Sequence, residues 1–182
     1  ARSVPLRMHS GTSRRPPEGE TARMPGAASP FPKGQGHALI AGAGIGGLAA
    51  ALFLARAGWR VTIADREAVL HEVGAGLQLS PNATRVLGRL GLIPEFTDIA
   101  VKPHELVIRR HDGTVLNRSP MGRTSEARFG APFLVIHRGD LQSVLKRRVE
   151  KTPGVELRLG RKIVELREDE SGVVGMFEKA SG

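Results

Sequence analysis

Between His37 and Arg66 the alternation of apolar and polar positions changes character three times, and each change marks an element. His37 to Ala41 (HALIA) is a short apolar run that reads as a buried strand. Ile45 to Ala57 is rich in alanine and leucine and reads as a helix, closed by Gly58. Arg60 to Ala64 (RVTIA) reads as a second strand, ending at Asp65. Further on, Val73 to Ser80 is glycine-rich and partly extended. Ser80-Pro81 then starts a helix over Asn82–Leu90 that Gly91 ends. Glu105–Arg110 and Thr114–Arg118 flank Asp112-Gly113, a strong hairpin signal. Arg118 to Gly130 reads as a polar loop, and Phe133–Ile136 as a strand leading to His137-Arg138-Gly139-Asp140. From Asp140 a helix runs to Glu150 with Leu141, Val144, Leu145 and Val149 on one face. Three strands follow, at Val155–Leu159, Lys162–Arg167 and Val173–Glu178. Residues 1–36 show no such periodicity. They hold six of the twelve prolines and read as a disordered Pro/Arg/Gly-rich extension ahead of a folded part at 37–182.

The order strand, helix, strand over 37–66 gives the glycines between them a chemical meaning. Gly42, Gly44 and Gly47 fall in the G-x-G-x-x-G spacing at a strand-to-helix turn. Gly42 permits the tight turn, Gly44 lets the backbone approach a pyrophosphate, and Gly47 lets helix and strand pack closely. The first turn of the helix, with Ile45 and Gly46, presents unpaired N–H groups and the positive end of the helix dipole. Asp65 lies 23 positions after Gly42, near the usual place for an acid that accepts from ribose hydroxyls. Dinucleotide binding is the reading these features support. A glycine corner with no ligand is the alternative, and it leaves the terminal acid without a role.

Composition narrows the function classes. The chain has no cysteine, which excludes disulfides, thiolate metal sites and cysteine nucleophiles and fits a reducing cytoplasm. The longest apolar run, around Leu48–Ala57, is interrupted by Arg56 and is too short to span a bilayer, so no stable membrane anchor is expected. The net charge is +9, and residues 1–36 carry six basic side chains against Glu18 and Glu20. That segment has features of a transit peptide but lacks an amphipathic helix. A start at Ala1 favours a frame read from mid-sequence or from upstream of the true start. In the folded part arginines are interspersed with acids and there is no tyrosine, which argues against nucleic-acid binding. The six histidines are scattered and suggest neither a metal site nor a catalytic base. His137 with Asp140 could suggest acid–base work, but Asp140 reads better as a helix-start residue.

Three blocks together resemble the class A FAD-dependent aromatic monooxygenases, in particular the salicylate hydroxylase-like branch. They are GAGIGGLAAALFLARAGWRVTIADR at 42–66, EVGAGLQLSPNATRVLGRLGL at 72–92 and FGAPFLVIHRGDLQSVL at 129–145. The resemblance implies an α/β, Rossmann-like FAD-binding fold of the aromatic-hydroxylase type, truncated so that later sheet strands and the substrate domain are missing. It implies that Gly42, Gly44, Ile45, Gly46 and Gly47 surround the FAD pyrophosphate, and that Asp65 holds the adenosine ribose where the family more often has Glu. Arg66 is then placed near the adenosine, Gly76 and Gln78 toward the flavin, and Arg138 near the phosphates or ribityl chain. The implied activity consumes NAD(P)H and O₂ to hydroxylate an aromatic acid such as salicylate or a hydroxybenzoate. No catalytic residue is assigned within 37–182, and this chain alone is expected to be inactive. A nicotinamide-binding dehydrogenase half and a non-catalytic nucleotide-binding fragment are the other readings.

Overall fold

A computed structural model describes residues 6–7, 36–70, 75–169 and 172–179. The expected disorder over 1–36 therefore lies outside the described residues, apart from Leu6, Arg7 and Gly36. The chain divides into two units, Ala1–Leu70 with Lys146–Gly182, and His71–Leu145. In chain order the elements are β1 (Leu6–Arg7), β2 (His37–Ala41), α1 (Ile45–Arg56) and β3 (Arg60–Ala64), all in the first unit. The second unit contains β4 (Gly76–Leu79), α2 (Pro81–Arg89), a 3-10 turn at Ile93–Phe96, β5 (Ala100–Val101) and β6 (Glu105–Arg109). It continues with β7 (Val115–Pro120), α3 (Gly122–Phe129), β8 (Leu134–His137) and the start of α4 (Arg138–Glu150). The chain then returns to the first unit with β9 (Val155–Arg158), β10 (Arg161–Asp169) and β11 (Gly172–Lys179).

The first unit is layered around a parallel sheet in the order β2-β3-β9. Its register pairs Ala41 with Ala64 and Val61 with Val155. β3 is the central strand, and its run Val61-Thr62-Ile63-Ala64 is buried throughout, as a strand covered on both faces must be. Successive side chains on β2 point to opposite faces. Ile40 approaches Gly47 of α1, whereas Leu39 lies against Gly175 of β11. α1 therefore covers one face, burying Leu48, Ala51 and Leu52. The antiparallel hairpin β10–β11 covers the other, where the Arg158 guanidinium stands 5.8 Å from the Phe177 ring centroid. β1 adds two residues to the outer edge of β11, pairing Leu6 with Gly175 and Arg7 with Val174.

The second unit is built on an antiparallel sheet in the order β4-β8-β5, with a separate β6–β7 hairpin. The hairpin turns at Asp112-Gly113, where Thr114 N–H donates to Asp112 Oδ1 at 2.9 Å. α2 turns Thr84 and Leu87 inward. The Thr84 hydroxyl donates to the Pro132 carbonyl at 2.6 Å, satisfying a polar group that is otherwise buried.

Several elements depart from the sequence reading. The polar loop expected over 118–130 contains α3, ended by Gly130 at φ +70°. Its buried position is Ser125, so it carries no apolar stripe to announce a helix. α4 begins at Arg138, two residues before Asp140, which sits in its first turn. The 3-10 turn at Ile93–Phe96 and the two-residue β5 were not anticipated; Phe96 anchors the turn, 1% exposed.

Candidate nucleotide-binding site

The turn between β2 and α1 is held from two sides. Toward β3, Gly42 N–H donates to the Ala64 carbonyl at 2.7 Å, which extends the parallel ladder by one step. The next amide, of the fully buried Ala43, donates to Asp65 Oδ2 at 2.6 Å. Toward α1, a Cβ placed on Gly47 would lie 2.0 Å from the Gly42 carbonyl oxygen, so only glycine fits there. Gly42 itself has φ +100°, a conformation that strains any L side chain.

Gly44 differs from both. It caps α1 with φ −70°, which any residue tolerates, and a Cβ there would meet no protein atom within 4 Å. Gly46, in the first turn, is equally open, and Ile45 beside it is half-buried. No side chain caps the helix and no acid lies in its first turn, so neither a hydroxyl nor a negative charge competes for an incoming anion. The three glycines thus act differently: Gly42 by conformation, Gly47 by packing against the turn, Gly44 by leaving room.

Asp65 closes this arrangement at the end of β3. Its Oδ1 accepts from Glu67 N–H at 2.9 Å while Oδ2 accepts from Ala43. The half-buried carboxylate retains further acceptor capacity, since an ionised carboxyl offers about four acceptor sites. Sequence reasoning assigned Asp65 to a ribose only; its contact with the Ala43 amide depends on a fold that no local signal reports. Arg66 is exposed and its Nε lies 3.1 Å from Glu67 Oε1.

Gly76, Gln78 and Arg138 belong to the second unit. Antiparallel pairing of β4 with β8 sets Gly76 opposite His137 and Gln78 opposite Val135. Arg138 N–H donates to the Ala75 carbonyl at 3.4 Å, so Gly76 and Arg138 are neighbours although 62 positions apart in sequence. The side chains of Gln78 and Arg138 are exposed. His137 Nδ1 accepts from Gly139 N–H at 3.3 Å, and Asp140 takes the helix-start position expected of it. Among the described residues no group of three or more His, Asp or Glu side chains could hold a metal ion, and no helix is long and apolar enough to cross a membrane.

A turn with open space at Gly44, a bare helix N-terminus and an acid at the end of the next strand suits a dinucleotide. Residues 36–181 match the family described as FAD binding domain. The chain belongs to this family. Its turn fits FAD, because a diphosphate needs the volume that a Gly44 side chain would fill. The family match also sets aside the nicotinamide-dehydrogenase alternative. Among curated relatives, the chain is 38% identical over 136 residues to 3-hydroxybenzoate 6-hydroxylase of Polaromonas naphthalenivorans (strain CJ2), covering 74% of this chain and 34% of that protein. It is 36% identical over 150 residues to FAD-dependent monooxygenase OpS4 of Beauveria bassiana (strain ARSEF 2860), covering 80% and 35%. The fold matches that of p-nitrophenol 4-monooxygenase PnpA from Pseudomonas putida DLL-E4 with a TM-score of 0.70 at 23% identity, covering 78% and 36%. The chain therefore spans about a third of the length of the relatives it matches. The α/β FAD-binding fold of this family is the one the three sequence blocks implied.

Proposed function

We propose that this chain is the N-terminal, FAD-binding portion of an NAD(P)H-consuming monooxygenase that hydroxylates an aromatic acid such as salicylate or a hydroxybenzoate. The observation that carries this reading is the 38% identity to a 3-hydroxybenzoate 6-hydroxylase over three quarters of the chain, within a FAD-binding family match at 36–181. When bound, FAD supplies hydride acceptance from NAD(P)H and activation of O₂. The chain's own residues bind and orient it. Gly42, Gly44, Ile45, Gly46 and Gly47 surround the pyrophosphate, which the amides at the start of α1 bind, and Asp65 accepts from the adenosine ribose. Arg66 lies near the adenosine, Gly76 and Gln78 serve the flavin side, and Arg138 offers a guanidinium to the phosphates or ribityl chain. The substrate is a small aromatic acid rather than a nucleic acid. The absence of cysteine, which fits a reducing compartment, supports a cytoplasmic location.

The test is to purify the product of the uninterrupted reading frame that contains residues 36–181. Flavin released by denaturation should be FAD at one per chain. Oxidation of NADH or NADPH should accelerate with salicylate or a hydroxybenzoate, with a hydroxylated product. A colourless protein with no releasable flavin would sink the proposal. Flavin with no aromatic substrate among these acids would restrict it to the cofactor.

A further inference from the structure

We infer that Asp65 is a positioning residue as well as a ribose acceptor: its carboxylate ties the glycine turn to the end of β3 and so shapes the site before FAD arrives. This rests on the FAD-binding reading above and adds a second role at the same site. The sequence pattern asks only for an acid facing the adenosine. The geometry shows the acid already engaged, with Oδ2 accepting from Ala43 N–H at 2.6 Å and Oδ1 accepting from Glu67 N–H at 2.9 Å.

Three features make this contact consequential. Ala43 is 0% exposed, so water is not at hand to replace the carboxylate as partner for its amide. The neighbouring amide, of Gly42, is bonded to Ala64, so two consecutive N–H groups fasten the turn to the last residue of β3 and the one after it. On the opposite side Gly47 stands against the Gly42 carbonyl with no room for a Cβ. Gly42 and Ala43 are clamped between β3 and α1 through their backbone, and Gly44, which follows them at the helix start, has open space before it. A turn fixed in advance spares the binding step the ordering of those residues. The apparent affinity of a site scales with the fraction of molecules already in the competent shape. The Asp65 tie holds that fraction high, while its remaining acceptor sites are left for the ribose.

The experiment has one arm without FAD and one with it. In the 182-residue chain free of FAD, hydrogen exchange of the Ala43 amide is measured in the unsubstituted protein, Asp65→Ala and Asp65→Asn. Loss of a charged acceptor should speed exchange at Ala43 by on the order of ten- to a hundredfold in Asp65→Ala. Asp65→Asn, which keeps one acceptor oxygen without the charge, should fall between. Amides within β2 and β3 should keep their protection. Unchanged Ala43 exchange in both variants would overturn the inference. Should Asp65→Ala lose protection throughout β2 and β3, Asp65→Asn decides it. In the second arm, FAD fluorescence follows association with and dissociation from the product of the uninterrupted reading frame. A tie that shapes the turn predicts slower association in Asp65→Asn, whereas a ribose contact alone predicts faster dissociation at an unchanged association rate and overturns the inference. Failure of the unsubstituted protein to bind FAD would strike the proposed function and leave the exchange result standing.

Discussion

Replacing Gly47 and Gly44 one at a time by alanine separates packing from binding within a single turn of chain. A methyl on Gly47 would stand 2.0 Å from the Gly42 carbonyl oxygen and 3.3 Å from Ile40 Cγ2. Contacts of a real Cβ below 3.0 Å are essentially never seen, so the first turn of α1 and the glycine turn must part by about 1 Å. The neighbour is backbone held by the Ala64 and Asp65 hydrogen bonds, so it cannot swing aside as a side chain would. Overpacking of this kind costs roughly 1–3 kcal/mol, and the backbone contact puts Gly47→Ala at the upper end. For a chain of this size each kcal/mol lowers the melting temperature by about 2–4 °C, so a fall of about 5–10 °C is expected. A methyl on Gly44 meets nothing within 4 Å at a φ of −70°, so Gly44→Ala should melt within about 2 °C of the unsubstituted chain, or slightly above it. Its effect should fall on FAD instead, because the methyl fills the room left for the pyrophosphate, and Gly44→Val should abolish binding without unfolding. Thermal melts followed by circular dichroism and by the fluorescence of the single tryptophan, Trp59, give the stability arm. FAD titration gives the other. Equal melting of Gly47→Ala and the unsubstituted chain, or full FAD affinity in Gly44→Val, would refute the reasoning.

Acid should destabilise the first unit in two stages. Partial burial, followed by the nearby Arg60 and Arg158 charges, lowers the His37 pKa below 6.5. The unfolded chain then binds more protons than the folded one in that window, and stability falls as pH drops below 6.5 toward the folded value. The hydrogen bond from Arg158 lowers the Glu156 pKa below 4.5, so its contribution is present above 4.5 and is lost as pH falls through the folded value. His37→Gln should flatten the upper stage of a stability–pH profile and leave the lower one; an unchanged upper stage would show that His37 does not cause it. Arg138→Ala removes an exposed side chain, so it should leave the melting temperature within about 1 °C, while loss of a charged hydrogen bond should weaken FAD binding roughly ten- to a hundredfold in the product of the uninterrupted reading frame. Residues 36–182 expressed alone should oxidise no NADH with aromatic acids. They should also bind FAD about a thousandfold more weakly than that longer product, as losing ~4 kcal/mol of contacts requires. Equal affinity in a titration of both proteins would contradict this.

Local patterning carried much of this structure. The apolar run of β2, the alanine–leucine helix α1 and the branched run of β3 were legible because each depends on interactions a few residues apart. The Asp112-Gly113 hairpin and the Leu141, Val144, Leu145, Val149 face of α4 were legible for the same reason, and all four of those α4 residues are buried. The roles of Gly42 and Gly47 followed from the spacing, and the φ and the contact distance agree with it. Other features depend on partners that the sequence does not name. β9 joins the parallel sheet beside β3 some 90 residues later, and β4 meets β8 across more than 50. Through that second pairing Gly76 comes beside Arg138, a juxtaposition set by strand register rather than by any motif. α3 turns a serine inward, so periodicity had no apolar signal to find. Asp65 was recognisable as an acid at the right distance from Gly42. Its attachment to Ala43 required β2 and β3 to lie parallel with Ala41 beside Ala64, because only that register brings a buried amide within reach of so short a side chain.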